Sequence, residues 1–192
     1  MAQDLLGKII TTDINNQLVS GRIVETEAYR ADDDKGSHAY PNKITKRTAR
    51  QFGPGGVSYI YLCYGIHHLF NVITGPAEVA HVILVRAVEI LEGVDIARSR
   101  RKIKGPSTQL ANGPGKWTQA FGITTAHDAC LLTEVDSVIS IHEGGVQYAP
   151  DQIISGPRVG IAYAQECAVW PWRFRVKGNT WTSKPDTVSY PL

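Results

Sequence analysis

The sequence predicts an α+β fold, one mixed domain dominated by antiparallel strands, and three observations lead there. Several short runs alternate apolar and polar residues between Gly, Pro, Asn and Asp clusters, the pattern of strands with one face buried. Only residues 94–104 and 112–123 carry convincing helix signals, and they fall between strand-like runs rather than alternating with them. The 192 residues, 43% hydrophobic and 20% charged, suit a single core; disorder, collagen and coiled coil do not fit this composition.

The elements follow in order. LLGKIITT and GRIVETEAY read as a hairpin turned at Asn15 and Asn16. Residues 30–58 form a long loop rich in Asp, Gly, Pro, Lys and Arg, with a short helix expected near TKRTARQF; loops this long inside a compact domain are usually functional. SYIYLCYG, NVIT and AHVILVRAVEI are β-prone and apolar, so at least two more strands are expected. VDIARSRRKIK reads as a basic helix, and NGPGKWTQAFGI as a Gly-Pro-Gly turn opening a second one. SVISIHE and WRFRVKG supply strands in the last third. No repeat or linker divides the chain, so one domain over 1–192 is expected, with its core at about 5–183.

The formal charge of +2 conceals an uneven map. Residues 35–77 hold five cations and 96–127 hold six, with no carboxylate in either stretch, so the remainder carries nine cations against eighteen acids. Two such stretches in one small domain favour a surface for a polyanion. Cys63, Cys130 and Cys167 lie far apart without C-x-x-C spacing, which speaks against a disulfide framework or a cysteine metal site. The six histidines show no ligand pattern: His67 and His68 are adjacent, and His81, His127 and His142 are scattered. No metal or other cofactor is expected. No run is apolar enough for a membrane span and no signal-peptide layout opens the chain, so a cytoplasmic protein is expected.

In a strand through GRIVETEAY, Glu25, Glu27 and Tyr29 share one face, the carboxylates roughly 6.6 Å apart along the strand. That arrangement is either a solvated edge or an acid–base pair, and it opens directly into the loop that holds His38. Arg86, embedded in VILVRAVEI, needs a carboxylate, and Glu25 or Glu27 is the obvious candidate. Tyr59 and Tyr61 share a face, while Tyr64, beside Gly65, projects elsewhere; such rings are either core or a platform for flat ligands. Asn71 must bond either backbone or a ligand edge. Lys116 stands at the opening of the second helix, in a turn that lacks the Walker ending.

GRIVETEAY, His38 nine residues after Tyr29, YIYLCYGIHHLFNV, NGPGKWTQAFGI and RVGIAYA with RFRVKGN together resemble the alkyladenine (3-methyladenine) DNA glycosylase family, from about Leu5 to Ser183. The resemblance implies a single mixed domain with a curved antiparallel sheet flanked by helices. It also implies a monomeric, monofunctional hydrolase that flips alkylated or deaminated purines from double-stranded DNA and leaves an abasic site. Residue by residue, it makes Glu27 the base that activates water, with the Arg86 cation beside it. Tyr29, His38 and Tyr61 become the base pocket, Asn71 the residue that disfavours guanine, and Tyr64 the wedge. Lys43, Thr45, Arg47 and Lys116 become DNA-backbone contacts. The sequence departs from the family where Gln51 replaces an apolar residue that helps probe the duplex, and where Trp117 replaces an aliphatic one. Two other readings share these residues: a module that binds damaged DNA without cutting, and a small-molecule glycoside or nucleoside hydrolase.

Overall fold

The structure, a computed structural model, describes residues 1–134 and 136–183. Its elements are β1 (Ile9–Asp13), β2 (Leu18–Arg30), β3 (Ser58–Cys63), β4 (His67–Ile73), β5 (His81–Glu92), α1 (Val94–Arg101), α2 (Pro114–Phe121), β6 (Ile139–His142), β7 (Ile153–Gly156) and β8 (Arg173–Val176). The strands make one curled antiparallel sheet in the order β3-β4-β5-β2-β1-β6, with β8 also paired to β2 and β7 to β8. This is the mixed, antiparallel architecture expected.

β2 is the axis of the sheet. Its first half pairs with β1 and its second half with β8, while β5 runs along its other edge. The hairpin into β2 turns on Asn15 and Asn16, both at positive φ (59° and 57°), where Asn is one of the few side chains tolerated. The ladder between β2 and β5 is irregular near its end, between Ser20 and Gly21, and again in its middle, where Ile23 faces Val88, Glu25 faces Ala87 and Thr26 faces Val85. Val24 and Arg86 are therefore bulged residues on opposite strands, a device that re-aims side chains next to functional sites.

Alternation along β3, β4 and β5 sorts the two faces. Ile60, Phe70, Val72 and Val85 point into the main core, whereas Tyr59, Ile73 and Val82 form a separate cluster with Tyr29 and Tyr61 on the other side. The core side is closed by α2. Trp117 is fully buried there, donates its indole N–H to the Val85 carbonyl (2.9 Å), and meets Phe70 and Phe121 edge-on at 5.3 and 5.4 Å. The departure at Trp117 is thus a matter of core packing and does not bear on contact with a DNA strand.

Three details differ from the expectations. β1 begins at Ile9 because Leu5 to Lys8 are tied in turns. The helix expected near 45–52 is one 3-10 turn over Ala49–Phe52. β7 was not anticipated, since Ile-Ile-Ser-Gly is short and lacks alternation. The basic stretch 96–127 is also partly structural: Arg98 donates to the Gly105 carbonyl (2.8 Å), Arg100 to those of Ile14 and Ala120 (3.3 Å each), and Arg101 to Gln119 Oε1 (2.5 Å). Lys102, Lys104 and Lys116 remain exposed. Trp117→Ala removes a fully buried ring and should cost about 3–5 kcal/mol of stability; chemical denaturation of both proteins measures it.

Candidate active site

The pocket face of the sheet opens into a cavity of about 470 Å³ lined by Tyr29, His38, Tyr59, Tyr61, Asn71 and Arg86, among others. A larger groove of about 740 Å³ beside Lys8, Glu143 and Tyr148 lacks converging aromatic and buried charged groups, so the smaller cavity is the better candidate. Among the described residues, no group of three or more His, Cys, Asp or Glu side chains is placed to hold a metal ion.

Behind the cavity floor lies a fully buried ion network. Both carboxylates of β2 are 0% exposed, so the solvated-edge reading does not hold. From its bulge, Arg86 donates Nε to Glu25 Oε1 (2.8 Å) and Nη1 to Glu27 Oε2 (3.2 Å), so it takes both candidate partners. Glu25 also accepts from Arg173 Nε (2.7 Å) and from Ser183 N (2.5 Å) and Oγ (2.8 Å). Glu27 accepts from the Tyr29 hydroxyl (2.8 Å) and the Val159 N–H (2.7 Å). Tyr29, Arg86 and Val159 all line the cavity, which leaves the Glu27 carboxylate immediately behind the wall it helps to fix. Burial disfavours the Arg86 cation, but Glu27 and Glu25 outweigh it and hold its pKa above the ordinary arginine value. Tyr29 is likewise raised, by burial first and then by the Glu27 charge, and stays a neutral donor.

A second buried pair supports the same wall. Arg158 grips Asp34 with both guanidinium nitrogens (2.5 and 2.7 Å), with neither side chain exposed, and donates to the Ala28 carbonyl at 2.8 Å. Its guanidinium lies 4.6 Å over the Tyr29 ring, which orients that ring, and the next residue supplies the Val159 N–H.

Across the cavity, His38 meets Tyr61 edge-on at 4.7 Å, and Tyr61 lies 5.7 Å from Tyr59. Arg47 places its guanidinium 4.7 Å over the Tyr61 ring and Nη2 at 3.2 Å from His38 Nε2. A guanidinium has no acceptor, so that histidine nitrogen must be unprotonated. Burial and the Arg47 charge lower the His38 pKa to about 4. Asn71, 3% exposed, donates Nδ2 to the Tyr59 carbonyl (3.1 Å), which fixes the amide because a carbonyl only accepts. It serves the backbone and faces the cavity at once.

Tyr64 sits at the tip of the β3–β4 hairpin and is 90% exposed. Tyr64 and Gly65 both have positive φ (50° and 72°), and Ile66 N–H bonds the Cys63 carbonyl (3.1 Å), a tight turn that holds the ring out. The start of α2 packs against this hairpin: a Cβ on Gly115 would lie 2.8 Å from the His67 ring. Pro114 thereby reaches the cavity wall, with Lys116 exposed beside it and bonded to Asn112 Oδ1 (2.9 Å). Lys43 and Thr45 lie on the loop before the 3-10 turn and do not line the cavity; the Lys43 carbonyl and the Thr45 hydroxyl both meet Thr48.

Gln51 corrects an expectation. It is 1% exposed and lines the cavity, so the residue at this position belongs to the pocket wall rather than to a surface that probes a duplex. Sequence reasoning missed Arg173, Arg158, Asp34 and Val159. A lone buried Arg in a C-terminal strand and an Asp in a polar loop carry no local signal of pairing; only the unexplained need of each arginine for a carboxylate points that way.

The fold and the site thus define a protein with a cavity of aromatic side chains set against a buried, ion-paired carboxylate. A family model for methylpurine-DNA glycosylase matches residues 1–180. The chain is 42% identical over 175 residues to a protein of Chlamydia felis (strain Fe/C-56), covering 91% of this chain and 88% of that one. It is 38% identical over 196 residues to one of Clostridium botulinum (strain Alaska E43 / Type E3) and 37% over 190 residues to one of Bacillus cereus (strain AH187), covering 96% of this chain and 93% of the relative in each case. All three carry 3-methyladenine DNA glycosylase as a provisional name. This chain belongs to the methylpurine-DNA glycosylase family, hydrolases of DNA repair.

The Arg47 charge beside His38 yields a direct check. Removing it with Arg47→Ala should raise the His38 midpoint from about 4 part of the way toward the ordinary value, burial being the larger cause of the wild-type shift. Titration of the ring resonances by NMR reads both.

Proposed function

We propose that this protein is a monomeric, monofunctional glycosylase that flips alkylated or deaminated purines out of double-stranded DNA and hydrolyses the N-glycosidic bond. The observation that carries the reading is Glu27, ion-paired to Arg86 and fixed by the Val159 N–H directly behind the wall of a cavity that Tyr29, His38 and Tyr61 line.

Extrusion of the nucleotide costs a few kcal/mol, least at damaged or mispaired bases. Alkylation at N3 or N7 makes the purine cationic. That improves the leaving group and suits it to electron-rich tyrosine faces. As the bond breaks, the sugar becomes oxocarbenium-like, and the Glu27 carboxylate stabilises that charge and takes a proton from the attacking water. Arg86 orients the carboxylate and pairs with its charge. The exposed ring of Tyr64 fills the gap in the duplex, Asn71 stands where the 2-amino group of guanine would press, and Lys43, Thr45, Arg47 and Lys116 meet phosphates. No lysine adjoins the carboxylates in the described network, in keeping with water rather than an amine as nucleophile.

Two experiments test the reading. A labelled duplex with one hypoxanthine, incubated with protein and then treated with alkali, should break with wild type. With Glu27→Gln, scission should fall about 10²- to 10⁴-fold while damaged-duplex binding persists. Tight binding without scission by either protein would instead mark a recognition module. Asn71→Ser should raise excision of guanine relative to adenine lesions by up to about tenfold, the scale of one hydrogen bond or a small clash. An unchanged ratio would remove Asn71 as the discriminator.

A further inference from the structure

Arg47 stands apart from the other arginines around the site. Arg86, Arg158 and Arg173 are buried and bound to Glu25, Glu27 or Asp34. Arg47 is exposed and has no carboxylate within 4.0 Å among the described residues. Its guanidinium rests on the two groups that form one side of the pocket, 4.7 Å over the Tyr61 ring and 3.2 Å from His38 Nε2, and it lines the cavity with them. A planar cation therefore occupies the surface on which a planar, cationic purine would stack. Both cannot hold it, because each would lose the ring face and repel the other's charge.

We propose that Arg47 is a specificity-determining residue that closes the aromatic platform in the free protein and opens it only for a base delivered on a phosphate backbone. This rests on the base-pocket reading and deepens it. Arg47 sits on the exposed loop with Lys43 and Lys46 and without acids, so a phosphate approaching the pocket meets it first. Exchange is then downhill: an exposed cation–π contact is worth about 0.5–1 kcal/mol, while a two-pronged guanidinium–phosphate contact is a stronger, charge-assisted one. A free base or nucleoside brings no phosphate to draw the arginine away, and so must displace it at its own cost.

Fluorescence binding of the free base 1,N6-ethenoadenine separates this from a plain backbone contact. Arg47→Ala should bind the free base about 2- to 5-fold more tightly than wild type, the scale of the lost cation–π contact, while binding a hypoxanthine duplex more weakly. Arg47→Lys should also gain affinity for the free base yet keep more of the duplex affinity. Free-base affinity that is unchanged or lower in Arg47→Ala overturns the proposal, since Arg47 would then be only a phosphate contact or part of the wall that binds the base. By NMR, ring current from Tyr61 should shift the Arg47 Cδ protons upfield in the free wild-type protein, and an undamaged duplex should abolish that shift. An Arg47 without an upfield shift in the free protein also overturns it. Excision of hypoxanthine by wild type is scored separately: its absence would remove the glycosylase reading itself, whatever the Arg47 variants do.

Discussion

Two carboxylates and two guanidiniums, Glu25, Glu27, Arg86 and Arg173, are held together, almost wholly buried, on the central strand and its two neighbours. Burying any one of them alone would cost several kcal/mol, so the cluster is stable only as a charge-balanced whole. Glu25 is its hub: it accepts from both arginines and from Ser183, which leaves Arg86 free to present Nη1 to Glu27. The ladder sets Arg86 beside Glu25, and Glu27 follows two residues on along the same face, so a single guanidinium reaches both carboxylates; the irregularities at Val24 and Arg86 offset one another and leave the same register on either side. The position of Glu27 is thus set by cross-strand pairing and charge neutrality together.

The Arg158–Asp34 pair extends the same logic along that wall. By stacking on Tyr29 and anchoring the residue before Val159, it fixes both other donors to Glu27. Every group that touches the carboxylate is therefore held by a further buried contact, which is what preorganisation requires. The arginines sort by partner: those with buried carboxylates build the site, and Arg47, with none among the described residues, rests on its surface.

Much of this was legible in the sequence where the signal is local. Alternation exposed β2 to β5, the Gly-Pro-Gly turn located α2, and the shared face of Glu25, Glu27 and Tyr29 foretold the constellation that Arg86 completes. What escaped depends on distance along the chain. Arg173 lies 148 residues from Glu25, and Arg158 lies 124 from Asp34. No spacing rule links residues so far apart. Gln51 and Trp117 mislead for a different reason: each departs from the family's pattern at a position whose surroundings only the fold reveals, a pocket wall and a core. The charge map was right in sum and wrong in detail, because the arginines of α1 are spent on carbonyls of the protein itself.

That detail changes where the binding energy for DNA would come from. With Arg98, Arg100 and Arg101 engaged internally, the cations left exposed are chiefly lysines and Arg47 on the loops and helix ends around the cavity. Lysines hold phosphates as point charges without fixed geometry, so such a rim would bind duplexes of any sequence and yield readily to salt. Discrimination must then arise inside, where Tyr29, Asn71 and Tyr61 are each locked by a specific contact. Between the two lies the hairpin tip, where Leu62, Tyr64 and Ile66 are all exposed, and apolar side chains gain nothing from water there. In the proposed reaction they are the groups with most to gain from entering a base stack. The cost of exposing them in the free protein is recovered only when the duplex opens, which ties loose, general attachment at the rim to the ordered pocket behind it.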